Sequence, residues 1–208
     1  MIQPDNLQNS HATRARGRPR EFDTDAVLES ASQIFRNQGY HATSIDDLCK
    51  ATGVLRGSLY GVFGDKRGIM LAALDHYAEG SVARLAERLN APVPPEESLR
   101  NALQHYARIS LALTGQRSCF ISKATLEMQP DDEALHSRIA SVHRRMATLL
   151  AAAVIRGQAS GAFKSTLDEK AVGQFLLCVM QGMRVLGRAA HDESEMLNIV
   201  DVAMSALT

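Results

Sequence analysis

Gly53 stands between two short stretches of helical apolar spacing, and this arrangement restricts the chain more than any other feature. Before it, Ile45, Leu48, Cys49 and Thr52 recur three or four residues apart, which gives a helix one narrow buried face. Thr43 reads as the N-cap of that helix and Asp46 as the acid of a capping box. Only glycine adopts a left-handed backbone without penalty, so Gly53 ends the helix and lets the chain reverse within a few residues. A second helix then starts at Leu55 or Arg56 and runs to Phe63. It keeps Leu59, Val62 and Phe63 for a core and presents Arg56, Gly57, Ser58, Tyr60 and Gly61 to the outside. Each glycine costs about 1 kcal/mol against alanine in a helix, so slenderness is favoured here over helix stability. A helix that enters the major groove of DNA needs a slim first turn from which a few hydrogen-bonding side chains project.

The spaced signature Gly39-Tyr40-His41-Ala42-Thr43-Ser44, Gly53-Val54, Gly57-Ser58-Leu59-Tyr60, Phe63 and Asp65-Lys66 resembles the N-terminal domain of the TetR family of bacterial transcriptional repressors. The resemblance covers Gly17 to Tyr77. It implies that Thr43, Arg56, Gly57, Ser58 and Tyr60 meet the operator, with Arg56 placed for a bidentate guanine contact. It also implies that Lys66, beside a helix start capped by Asp65, clamps a phosphate. Two positions depart from the family pattern. Leu55 replaces the usual Ser or Thr cap, and Gly61-Val62 replace a frequent aromatic-histidine pair, so Arg56, Ser58 and Tyr60 carry more of the interface.

Acidic and basic residues balance at 23 each, so affinity for nucleic acid has to come from local clustering. The cluster is at hand: Arg14 to Arg20 holds four arginines, with Gly17 and Pro19 discouraging a helix. Ahead of a DNA-reading head, Arg18 and Arg20 are expected along phosphates or in the minor groove, the alternative being a solvated tail. The first thirteen residues lack the apolar core and cleavage pattern of an export signal. No stretch reaches the ~18 to 20 apolar residues of a membrane span. Three irregularly spaced cysteines then read as reduced thiols in a cytoplasmic protein.

Helical spacing continues throughout. A scaffold helix from Asp23 or Thr24 to about Asn37 precedes the pair around Gly53. A long helix follows Asp65 to about Asn90, where Ala91-Pro92-Val93-Pro94-Pro95 stops it. Further helices are expected over Glu96 to Leu113, from Ser118 to Gln129, from Asp131 or Asp132 to Arg156, over Asp168 to Arg188, and over Glu193 to Leu207. No alternating strand pattern is present. The expected fold is all-α with about nine helices: a basic disordered arm (1–20), a three-helix helix-turn-helix domain (21–66), and a helical domain for effector binding and dimerisation (67–208).

Apolar residues cover most of the circumference of the helix before last, more than one core can use. Phe175, Val179 and Met183 there, with Ile199 and Ala203 on the last helix, are expected to meet a second copy of the chain. A homodimer suits a near-palindromic operator whose half-sites lie about 34 to 36 Å apart. The middle helices carry Tyr77, His105, Tyr106, Cys119, Phe120, His143 and Met146, an apolar lining with polar handles that suits an apolar or aromatic small-molecule effector. Cys119 begins a helix, where a thiolate is stabilised by the dipole, and is a candidate sensor of oxidants or electrophiles. Cys49 and Cys178 read as core. Histidines and cysteines show no metal-binding spacing, and nucleotide-binding or nucleophile motifs are absent, so neither metal nor cofactor nor catalysis is expected. The resemblance implies a repressor released by a ligand that tilts the fourth helix. The competing class is a helical protein adaptor, which leaves the arginine arm and the slender second helix without a purpose.

Overall fold

Short acids and hydroxyls set most helix starts in the chain, and glycines set several of the stops. The computed structural model describes residues 22–111, 119–127, 129–187 and 192–208, so the basic arm with Arg18 and Arg20 lies outside the described residues. Among the described residues there are nine helices and no strand: α1 (Thr24–Gln38), α2 (Ile45–Thr52), α3 (Arg56–Phe63), α4 (Lys66–Leu89), α5 (Pro95–Leu111), α6 (Phe120–Glu127), α7 (Glu133–Ala159), α8 (Glu169–Leu186) and α9 (Glu193–Ser205). Asp23, Asp65, Asp132 and Asp168 each cap the helix that follows them, accepting backbone N–H groups that would otherwise be orphaned.

The cap of α2 differs from expectation by one residue. Ser44, not Thr43, accepts the N–H of Asp47, and the Asp47 carboxylate accepts the Ser44 N–H at 2.9 Å, which completes a capping box without Asp46. Thr43 is instead buried and donates its hydroxyl to the Gly39 carbonyl, closing the α1–α2 loop from inside. Gly53 has φ of +69°, the left-handed stop expected of it. Packing also corrects Val62: a short helix buries only one stripe, which falls on Leu59 with Phe63 half-buried, and Val62 is left 59% exposed.

α1, α2 and α3 form the head, with Val27, Leu28, Ala31, Phe35, Leu48 and Leu59 buried together over the first turns of α4. The link from α3 to α4 is only Gly64 and Asp65. Gly68 makes this possible, because a Cβ there would lie 1.9 Å from the Phe63 carbonyl oxygen. α4 is therefore continuous between head and body. In the body, α7 and α8 pack along each other, while α5 is held between α4, α8 and α9. Gly173 permits the close α7–α8 approach, since a Cβ would come within 2.6 Å of the Ala147 carbonyl oxygen. No helix among the described residues is long and apolar enough to cross a membrane.

Replacing Ser44 with alanine removes the hydroxyl half of the α2 box and leaves only the bond from the backbone N–H of residue 44 to Asp47, and we expect a loss of about 1 kcal/mol in urea unfolding. Thr43→Ser keeps the inner hydroxyl and should cost less.

Candidate DNA interface and effector cavity

The face of α3 that is spent on nothing else consists of Leu55, Arg56, Gly57, Gly61 and Val62, all exposed. A Cβ added at Gly57 or Gly61 would meet open space, so these glycines answer no packing demand inside the chain. Arg56 donates to Asp46 at 2.9 Å across an exposed gap between α3 and α2. Such a pair holds a side chain in place for ~0 to 1 kcal/mol, little enough to be exchanged for another acceptor. Ser58 and Tyr60 are half-buried, with Tyr60 packed against the core of the head. Leu55, which caps α3 without a side-chain hydrogen bond, is 75% exposed at the leading end of this face. An exposed apolar group there has the chemistry to meet a thymine methyl.

Lys66 is turned partly inward. Its ammonium donates to the Tyr40 and Thr43 carbonyls, both at 2.9 Å, and sits 4.3 Å from the centre of the Tyr40 ring. One of its three hydrogens is left over for a phosphate. The α1–α2 loop is also gripped from the body. Glu127 on α6 accepts the Tyr40 N–H at 2.7 Å, and Lys123, one turn earlier, donates to the Arg36 and Asn37 carbonyls at the end of α1. Gly39 is required at this junction, because a Cβ would fall 2.1 Å from the Glu127 carboxylate. Arg67 on α4 pairs with Asp132, the cap of α7. A small cavity of about 70 Å³ remains in this seam, bordered by Phe35, Tyr40, Met70, Phe120 and Leu135.

A larger cavity of about 360 Å³ opens between α1, α4, α5 and α8. Tyr77, His105 and Tyr106 line it as expected, together with Ser81, Leu85 and Ile109. Sequence reasoning missed its cations: Arg36, Arg84, Arg88 and Arg184 converge from three helices, and no acid lies in the lining. Arg36 lies 5.0 Å over the Tyr77 ring and Arg184 5.0 Å over that of Tyr106. Burial, then the charges of Arg88, Arg184, Arg108 and Arg84, hold His105 below its ordinary pKa, so the ring is neutral at pH 7. Burial, with Cys119 beside it, pushes the Tyr77 phenol up to about 12 and keeps it a donor.

Cys119 lies behind the cavity wall, buried at the head of α6. Burial alone would raise its pKa, but Arg184, the N–H and hydroxyl of Ser122 and the Tyr77 hydroxyl all favour the thiolate, and the net direction is downward. Phe120 does not line the cavity; it is stacked 5.9 Å from Phe35 and sits edge-on 6.0 Å from Tyr77, which ties α6 to α1 and α4. His143 and Met146 are not brought to the cavity. Met146 is core on α7, and His143 is half-buried on the same helix, its pKa depressed by burial. Cys178 is exposed on α8 and not in the core. No group of three or more metal-ligating side chains occurs among the described residues.

Between α8 and α9 an apolar groove of about 370 Å³ is bordered by Phe175, Val179, Ile199, Val202 and Ala203. Met183, expected at a subunit contact, is 1% exposed inside its own subunit, because α8 turns that residue toward the core. Val202, which was not expected there, is 69% exposed.

A helix-turn-helix head with its reading face bare, carried on a helical body with a half-enclosed cavity, defines a ligand-sensing DNA-binding regulator. Residues 27–73 match the model of bacterial regulatory proteins of the tetR family, and residues 95–202 match the tetracyclin repressor-like C-terminal domain. The chain belongs to the TetR family of transcriptional regulators. It is 30% identical over 195 residues to the HTH-type transcriptional repressor ComR of Escherichia coli, spanning 92% of this chain and 91% of that one. It is 29% identical to the regulator YezE of Bacillus subtilis, over 92% of this chain and 99% of its length. Among solved structures, a cysteine-substituted TetR-family regulator CifR complexed with 26-base-pair operator DNA superposes with a TM-score of 0.79 at 26% identity, covering 92% of this chain and all of that one.

Lys66→Met leaves the Tyr40 and Thr43 carbonyls without their charged donor. We expect about 2 kcal/mol lower stability in denaturant titration, in addition to any weakening of DNA binding.

Proposed function

We propose that the chain is a ligand-responsive repressor that binds a near-palindromic operator as a homodimer and is released when a small molecule occupies the α1–α4–α5–α8 cavity. The observation that carries this reading is the bare, glycine-thinned face of α3, with Arg56 loosely parked on Asp46. The operator-bound relative supports it. Residues 21–66 act as the reading head, with Arg56, Gly57, Ser58, Tyr60 and Leu55 toward bases and Lys66, Arg18 and Arg20 toward phosphates. Residues 67–208 sense and dimerise. Thr43 acts through the loop that it closes, since its side chain is buried.

The apolar groove supports the dimer, because Phe175 and Val202 are left exposed by the single chain and the half-buried Val179 and Ile199 continue the apolar surface between them. Coupling has a physical route. A ligand that spreads α4 from α5 or shifts Tyr77 acts on Phe120 and α6, and α6 holds the α1–α2 loop through Lys123 and Glu127. A preference of ~1 to 3 kcal/mol for the spread state suffices for control. The chain works in the cytoplasm by binding alone, without catalysis.

Selection of bound fragments from random DNA tests the reading. It should return an inverted repeat with half-sites one helical turn apart or a multiple of it, bound with a steep salt dependence. A salt-independent profile with no preferred site would favour the adaptor. On the selected site, Arg56→Ala should weaken binding by ~1 to 3 kcal/mol and relax one base pair, with little effect on random DNA. An equal loss on both would assign Arg56 to phosphate.

The donors around Cys119 favour a second input at the same joint, alkylation or oxidation of this thiol. Stoichiometric modification by a small electrophile should lower operator affinity by about tenfold, and its rate should level off at lower pH than for an ordinary thiol. Unchanged affinity after full modification of Cys119, with Cys49 and Cys178 replaced by serine, would end the idea.

A further inference from the structure

We propose that the cavity between α1, α4, α5 and α8 is built for an organic oxyanion, a carboxylate or phosphate carried on an apolar or aromatic body, with its headgroup held by Arg84, Arg88 and Arg184. The inference deepens the regulatory reading by naming the class of ligand, and it rests on that reading only for the consequence of binding.

Four guanidinium groups border one half-enclosed space of about 360 Å³ whose lining contains no carboxylate. Arg84, Arg88 and Arg184 form no ion pair with any acid among the described residues, although six other arginines of the chain do. The Nε of Arg184 is enclosed without a hydrogen-bond acceptor among the described residues. Like charges converging on a half-open space repel each other, with Arg88 and Arg184 half-buried and Arg84 exposed at its mouth, and a bound anion relieves that repulsion. Arg88 and Arg184 stand in the last turns of α4 and α8, where the helix dipoles favour cations and offset part of that repulsion.

The geometry also selects the kind of anion. Guanidinium forks match two oxygens of a carboxylate or phosphate, which a halide does not offer. His105 adds a neutral imidazole nearby. Leu85, Ile109 and the Tyr106 ring supply an apolar side, with room for a body of metabolite size rather than a free inorganic ion. Arg184 is shared with Cys119, so an anion in the cavity competes for the charge that favours the thiolate.

Calorimetry on the purified full chain, without DNA, compares probes that differ mainly in headgroup: 4-phenylbutyrate, 4-phenylbutyl phosphate, 4-phenylbutanamide and 4-phenylbutylamine. At least one of the two anions should bind about tenfold or more tightly than the amide, and the amine should be the weakest. Arg84→Gln and Arg88→Gln should each reduce the affinity of that anion several-fold while leaving the affinity of the amide unchanged, with thermal melting confirming the fold of each variant. Equal binding of anion and amide, no anion binding at roughly millimolar concentration, or anion affinity indifferent to both substitutions would overturn the assignment. Because no DNA is present, these results stand apart from operator selection: a protein that binds the anion yet ignores DNA keeps the site and loses the repressor reading, and the converse outcome loses only the site.

Discussion

The α1–α2 loop is the piece on which the orientation of the reading helix depends. It is held from two sides by charged groups that have little slack. Lys66 draws the Tyr40 and Thr43 carbonyls toward α4, while Glu127 takes the Tyr40 N–H from the opposite side. Charge-assisted hydrogen bonds of this kind are about twice as strong as neutral ones, and they are directional. The head therefore cannot change its angle to the body without moving α6, α4 or both. Gly39 completes the constraint by letting the carboxylate come closer than any side chain would allow.

The larger cavity of the body is marked by an electrostatic imbalance, with four arginines and no acid in its lining. Tyr77 connects the two regions, since its ring forms part of the cavity wall, meets Phe120 edge-on, and points its hydroxyl to Cys119. Arg184 likewise serves both the cavity and the thiol. The cavity and the thiol therefore share two side chains, and α6 lies between them and the α1–α2 loop. Through Tyr77 and Phe120 the residues that line the cavity and those that hold the loop are thus near neighbours.

Local signals were legible in the sequence because they are short-range. Gly53, Asp65, the prolines before α5 and the acids at helix starts act within one turn, and the helices that they delimit came out in the expected order. Adjacent candidates were harder to separate. Thr43 and Ser44 both have cap chemistry, and the choice went to the residue that could leave the core; Asp47 followed Ser44 as Thr43 turned inward to Gly39. Periodicity also could not say which of several apolar stripes is buried. Val62 went to solvent and Met183 to the interior, since those choices depend on what lies opposite. The cavity cations were hidden for the same reason: positions 36, 84, 88 and 184 become neighbours only through helix packing, and each alone looks like an ordinary surface arginine.

The two-residue join between α3 and α4 has a mechanical consequence. With Gly68 allowing the start of α4 to rest against the Phe63 carbonyl, the two helices meet in a close-packed elbow with little room to bend further. A small rotation of the long arm inside the body then reaches the groove-facing end undiminished. Lengthening this elbow, even by a residue or two, would put slack between the long helix and the groove-facing one, so that the position of α4 in the body would no longer set the angle of α3.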